Sequence, residues 1–375
     1  MNVPFDTAKL SRLLEAAEVD LLIANTRHNV RYLTGGYHYH FHANSQRMGR
    51  SQYIPFVGIP RRTIRDAFYI CRQEEFSQMT DDFPWMSNRI AAIRGTLTTA
   101  AKLVETIETA GLGAGRIAME MPFLPADAYR YFREHLPEDD IVDATPIIEE
   151  LRTIKSAAEI AHMKTVYDRV AESIQEAFIL SGEGDSTAVI ESRVRLAMAQ
   201  RGVNFLFALI STGPGLTRAP SELNVWKRGE PLHIDAGGEV GDYIADICRM
   251  GCVGEPSPRV RAMHAACLKV QDTARAVIRA GVPVNEVLRV GTEAAGLYPF
   301  SSYARFVVHG IGVVPYEQPT VTPESVRLLE PGMVLSVETD FIHPDEGHIK
   351  IEDSVVVTES GCDGLGDLGR DWHIR

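Results

Sequence analysis

Leu232-His233-Ile234-Asp235-Ala236-Gly237-Gly238, followed by Tyr243-Ile244-Ala245-Asp246-Ile247, decides the fold of this chain. Asp235 ends an apolar, strand-like run and precedes two glycines, while Asp246 sits between Ala245 and Ile247. The glycines and Asp242 between the two runs suit a hairpin, because they adopt turn conformations that other residues resist. Such a hairpin brings the two carboxylates side by side.

Two further segments of the second half repeat the pattern. Phe306-Val307-Val308-His309-Gly310-Ile311-Gly312 places a histidine at the end of an apolar strand. Val334-Leu335-Ser336-Val337-Glu338 turns through His343-Pro344-Asp345 into Ile349-Lys350-Ile351-Glu352-Asp353, so Glu338 and Glu352 become partners across a second hairpin. Singly, each residue reads as a surface acid or a hydrogen-bonded histidine. As a set they do not, since four neighbouring carboxylates repel and raise one another's pKa. Two divalent cations cancel their charge. Oxygen-rich ligation with one imidazole suits Mn, Co, Zn or Fe(II), and paired ions acidify a water into a nucleophile.

The rest of the composition agrees. With Lys+Arg 38 against Asp+Glu 50, the formal net charge is −12, which argues against a nucleic-acid partner. The hydrophobic share of 45% and charged share of 23% describe a globular chain, and 375 residues allow two domains. Cys71, Cys248, Cys252, Cys267 and Cys362 lack paired zinc-ligand spacing and read as reduced thiols. The opening Met1-Asn2-Val3-Pro4-Phe5-Asp6 has no signal-peptide character. No apolar run approaches the ~20 residues of a membrane helix. The expectation is a cytoplasmic protein with no membrane partner.

Along the first third, 8–17 is a helix, 19–24 a buried strand, and 53–59 and 67–71 further strands. Tyr32-Leu33-Thr34-Gly35-Gly36 closes a short run with a turn; 88–110 reads as one long helix, 117–120 as a strand and 125–135 as a helix. This alternation predicts an α/β domain over 1–150. The acidic, proline-broken stretch 137–150 marks the boundary. Ser156-Ala157-Ala158-Glu159 opens a long helix with a capping box, and further helices are expected over 186–202 and 258–280. The remainder is strand and turn, which predicts an α+β domain over 151–375.

The order Asp235, Asp246, His309 in His-Gly-Ile-Gly, Glu338, Glu352 resembles the pita-bread metallohydrolases: methionine aminopeptidase, aminopeptidase P, prolidase and creatinase. Val30-Arg31-Tyr32-Leu33-Thr34-Gly35 and Leu151-Arg152-Thr153-Ile154-Lys155-Ser156 resemble the N-terminal domain of the last three. The resemblance implies an α/β N-terminal domain plus an α+β pita-bread catalytic domain. It implies one metal held by Asp246, His309, Glu338 and Glu352 and another by Asp235, Asp246 and Glu352. Manganese is the expected ion, with a metal-bridging hydroxide attacking a scissile amide and Glu338 shuttling its proton. It also implies a homodimer, in which one subunit helps close its partner's site. The segment Tyr37-His38-Tyr39-His40-Phe41-His42 is the candidate for that contribution, with His40 named as substrate-binding.

Two substrate histidines of the family are missing. One position holds Tyr316, seven residues beyond His309, and the loop Gly213-Pro214-Gly215-Leu216-Thr217-Arg218-Ala219-Pro220 holds none. Thr339-Asp340 follows Glu338 where relatives often have Pro-Gly, and Lys350 stands where an arginine is frequent. Tyr316, Arg218 and Lys350 are the substrate-binding candidates: a phenol can donate a hydrogen bond and a guanidinium can grip a carboxylate. The resemblance therefore implies an Xaa-Pro aminopeptidase or dipeptidase acting on small peptides. The alternative is a metal-dependent hydrolase or lyase of a small zwitterion such as ectoine, creatine or dimethylsulfoniopropionate.

Overall fold

The structure is a computed structural model that describes residues 3–39, 54–80, 84–93, 95–112, 115–136 and 141–375. The chain divides into two compact units, Met1–Leu151 and Arg152–Arg375.

The first unit is built on a six-stranded sheet of order β4-β3-β2-β1-β5-β6. These strands are β1 (Leu21–Ala24), β2 (Phe56–Pro60), β3 (Phe68–Arg72), β4 (Asn88–Ala92), β5 (Ile117–Met119) and β6 (Ile141–Asp143). β1 is buried along its whole length, with Leu21 and Ile23 in one apolar layer and Leu22 and Ala24 in the other. That two-sided burial is why it reads as a continuous apolar run rather than an alternating one. The helices are α1 (Thr7–Ala16), α2 (Arg27–Thr34), α3 (Thr96–Thr109), α4 (Ala126–His135) and α5 (Thr145–Arg152).

Three local expectations change. The long helix over 88–110 splits, because Asn88–Ala92 adds to the β3 edge as a parallel strand and α3 begins only after Gly95, at φ 130°. Pairing along a sheet edge overrides helix propensity in so short a run. The Tyr32–Gly36 turn closes a helix: Thr26 caps α2 and Gly35, at φ 85°, ends it in the left-handed conformation glycine tolerates. The acidic stretch before residue 150 contains α5, with Pro146 in the first turn, where its missing N–H costs nothing.

The second unit begins with α6 (Ala157–Leu180), capped by Ser156 and Glu159 reciprocally as expected, and α7 (Thr187–Gln200). Its sheet runs β10-β11-β12-β9-β8-β7, with β13 (Cys362–Leu365) on β12 and β14 (His373–Ile374) on β9. The path strands are β7 (Asn204–Thr212), β8 (Pro231–Val240), β9 (Tyr243–Cys252), β10 (Ala304–Gly310), β11 (Val334–His343) and β12 (Gly347–Val357). α8 (Pro258–Arg275) was expected; α9 (Val284–Gly296) was not.

The β8–β9 hairpin forms, but its turn is Gly241-Asp242, with φ of 61° and 69°. Gly237 and Gly238 lie within β8 and serve packing. A Cβ on Gly237 would meet the Phe207 ring at 2.4 Å, and one on Gly238 would meet Val203 at 2.5 Å. The path strands pair antiparallel throughout, as an α+β layout requires.

His264 of α8 is buried and lies 4.7 Å from the Trp372 ring, and burial pushes its pKa down to about 4. Its folded pKa lies below the unfolded value, so its neutral form stabilises the fold above pH 6.5, and that contribution drains away as the pH falls toward 4. At pH 5 the loss is about 2 kcal/mol. His264→Gln, which takes up no proton, should shrink by about that amount the drop in unfolding free energy between pH 7 and pH 5, measured in urea.

Candidate metal centre

Strand register builds the site. Glu338 on β11 lies directly opposite Glu352 on β12, Glu352 opposite Cys248 on β9, and Cys248 opposite Asp235 on β8. Directly opposed residues share a face, so one transverse row carries three acids across four strands. Asp246 stands two residues before Cys248 on the same strand, hence on the same face and diagonal to Asp235. The expected side-by-side pair is thus a diagonal one, with Gly237 opposite Asp246. His309 lies two residues beyond Val307, which faces Glu338, and its Nε2 is 3.1 Å from Glu338 Oε1.

Two groups result. His309, Glu338 and Glu352 form one and Asp235, Asp246 and Glu352 the other, each with ligand atoms within 4.8 Å of one another and all five residues buried. Glu352 belongs to both, while Asp246 falls in one. Burial, then the charges of Glu352 and Asp235, push the Asp246 carboxyl well above its usual range, and its buried Oδ1 has no hydrogen-bond partner. Burial and Glu338 likewise push Glu352 up. Burial alone would raise Glu338 too, but Lys350 and His309 outweigh it and hold that carboxyl low. A buried carboxylate oxygen without a donor, grouped with two other acids, fits a divalent cation, and the neighbouring group adds an imidazole. Burial pushes the Cys248 thiol in this row well up, which keeps it protonated and unsuited to ligate. All five cysteines are unpaired.

Lys350 is fully enclosed and reaches Glu352 Oε2 at 2.6 Å and both Asp235 Oδ2 and Glu338 Oε2 at 2.8 Å. Burial opposes its charge, but these acids push its pKa well up. Arg218, a third exposed, reaches Asp235 Oδ2 at 3.4 Å. Tyr316 is 67% exposed, with its ring 4.3 Å from that of His309. Its neighbour Glu317 is buried and paired with Lys155 at 2.6 Å and Arg152 at 3.3 Å. The Leu-Arg-Thr-Ile-Lys stretch thus anchors the Tyr316 loop. His40 lies outside the described residues.

Several polar residues of this face were not singled out. Asp340 is buried between Arg305 at 2.6 Å and His348 at 3.2 Å, and these two outweigh burial and hold its carboxyl low. His348 stacks on His233 at 4.3 Å, and burial keeps His233 neutral. The available signal was period two: His233-x-Asp235, Glu338-x-Asp340 and His348-x-Lys350-x-Glu352 put polar groups at alternate positions of buried strands.

Residues 152–359 match metallopeptidase family M24, and residues 7–154 match the creatinase/prolidase N-terminal domain. The chain belongs to metallopeptidase family M24. It is a metallohydrolase with the pita-bread fold behind a creatinase-type N-terminal domain. The peptidase YqhT of Bacillus subtilis is 23% identical over 358 residues, 94% of this chain and 95% of that protein. An Xaa-Pro dipeptidase of Pyrococcus furiosus is 24% identical over 245 residues, 64% of this chain and 70% of that one. Among solved structures, an Xaa-Pro dipeptidase from Bacillus anthracis superposes with a TM-score of 0.85 at 20% identity, covering 98% of this chain and 99% of that one. Aminopeptidase P from E. coli with the inhibitor Pro-Leu gives 0.74 at 16% identity, covering 97% and 95%. Members of the M24 family use divalent metal ions, in keeping with the donor set of this chain.

In this M24 chain the acid row is braced from behind by Arg249. Its guanidinium donates to the carbonyls of Cys248 at 2.8 Å and Glu352 at 2.9 Å, the register pair that joins β9 to β12, and to Asp353 at 2.6 Å. Arg249→Met should cost about 3–5 kcal/mol of stability, because it strands buried carbonyls and part of a buried ion pair. Urea unfolding measures that loss.

Proposed function

We propose that the chain is a dinuclear metal-dependent peptidase of small Xaa-Pro peptides, with two divalent ions, manganese first among them, held by Asp235, Asp246, His309, Glu338 and Glu352. The observation that carries this is the pair of buried ligand groups sharing Glu352. The bound ions would supply Lewis acidity and a water acid enough to attack at neutral pH. Glu338, kept ionised by Lys350 and His309, is in the form that accepts a proton and can return it to the leaving amine. His309 is fixed by contacts at both ring nitrogens, Nδ1 with the Gly310 carbonyl at 3.1 Å and Nε2 with Glu338. Tyr316 offers a phenol donor on the His309 side, and Arg218 a cation for a substrate carboxylate on the Asp235 side. A cytoplasmic homodimer is part of the same reading; among the described residues no helix is long and apolar enough to cross a membrane.

A second reading is favoured by Tyr316 in place of an imidazole and by a 213–220 loop without histidine. Under it, the same metal set would hydrolyse or cleave a small zwitterionic metabolite.

Purified protein supplied with manganese should carry close to two ions per chain by elemental analysis, and Asp246→Ala should lose metal and activity together. Wild-type protein without bound metal would overturn the dinuclear reading. A manganese-supplied panel of Xaa-Pro peptides, small amides, cyclic amidines and betaines separates the two substrates. On the peptidase reading, Tyr316→His should raise Gly-Pro-type turnover about 10-fold or more, because a preorganised donor is typically worth ~10²–10³ in rate. No gain, with turnover of a betaine or cyclic amidine, would select the second reading.

A further inference from the structure

Lys350 stands at an unusual place. Its ammonium lies within ion-pair distance of three acids, Asp235, Glu338 and Glu352, at 2.6–2.8 Å, and donates a hydrogen bond to Asp235 Oδ2. Each of these side chains, like that of Lys350, is less than a tenth exposed. The three acids are not from one ligand group. Asp235 belongs to one, Glu338 to the other, and Glu352 to both. Lys350 therefore straddles the seam of the two groups.

The charge count makes this consequential. Asp235, Asp246, Glu338 and Glu352 bring four carboxyl groups into a buried patch, and buried Lys350 brings one positive charge among them. The guanidinium of Arg218 adds a second, more exposed contact to the same Asp235 oxygen. Any cation entering either group must share carboxylates with the ammonium and approach it closely, and like charges in a buried site repel strongly.

We propose that Lys350 is a built-in third cation of the acid cluster, which holds the carboxylates together in the metal-poor protein and opposes metal loading. This inference rests on the proposed metal-binding reading. It makes the residue two positions before Glu352 a determinant of how much free metal the enzyme needs. A neutral side chain there leaves the acids dependent on metal or bound protons for their neutralisation.

The test compares wild type, Lys350→Met and Lys350→Arg by thermal unfolding in chelator and in graded manganese, with manganese binding followed by calorimetry. Lys350→Met should be markedly less stable than wild type in chelator, regain most of that loss in saturating manganese, and bind manganese at least 10-fold more tightly. Lys350→Arg, which keeps the charge, should behave closer to wild type. A Met variant equally destabilised with and without manganese, without tighter binding, would overturn the proposal and mark Lys350 as a packing residue. Failure to fold under both conditions carries the same meaning. If neither wild type nor the Met variant binds manganese, the metal reading itself has failed, and the proposal with it.

Discussion

Everything about the second unit follows from one electrostatic constraint: four carboxylates share one buried face of a sheet. Asp235, Asp246, Glu338 and Glu352 are each less than a tenth exposed, and water cannot solvate them there. Burying ionised groups is costly unless opposite charge comes with them. The chain supplies part of that charge through Lys350 and, more distantly, Arg218. Metal ions supply the rest in the family to which it belongs.

The scaffold beneath is arranged to keep that cluster from relaxing. Glu338, Glu352, Cys248 and Asp235 are locked by consecutive register pairs, so none can move without breaking a ladder. Arg249, on the opposite face, ties the Cys248 and Glu352 carbonyls together and pairs with Asp353, which Arg370 also meets at 2.9 Å. Glycines at 237 and 238 let a neighbouring strand and the helix layer close in. At the edge of the site, buried Glu317 fastens the loop that carries Tyr316 to Arg152 and Lys155. The polar motif at the head of the second unit is thereby a structural strut, even though its residues lie more than 150 positions from the loop they hold.

Much of this is legible in the sequence. The five proposed ligands stand out because an acid or histidine inside an apolar strand is uncommon, and hairpins are local enough to be read from turn residues. The Ser156 capping box and the buried β1 run were legible for the same local reasons. Elements decided by distant partners were not. Asn88–Ala92 reads as helix until β3 offers it an edge, and the α5 segment looks like a linker because the prolines and acids of 137–150 suit one. His348 and Arg305 escaped notice, and His233 and Asp340 were given no role, because the importance of these four lies in one another, across four strands.

The division is clearest at Lys350. Sequence alone determined that acids would outnumber bases, that four acids and a histidine would lie on β-strands, and that two hairpins would pair them. Those are consequences of alternation, glycine placement and composition, all of them local. Only the tertiary structure decided that Asp235 and Asp246 would be diagonal, that Glu352 would join both ligand groups, and that a lysine would fill the seam with three ion pairs. The register of the β8–β9 hairpin set the first, and pairing between strands distant in sequence together with the depth of burial set the other two. Long-range pairing and burial are not encoded at short range, and the electrostatics of the site depend on both.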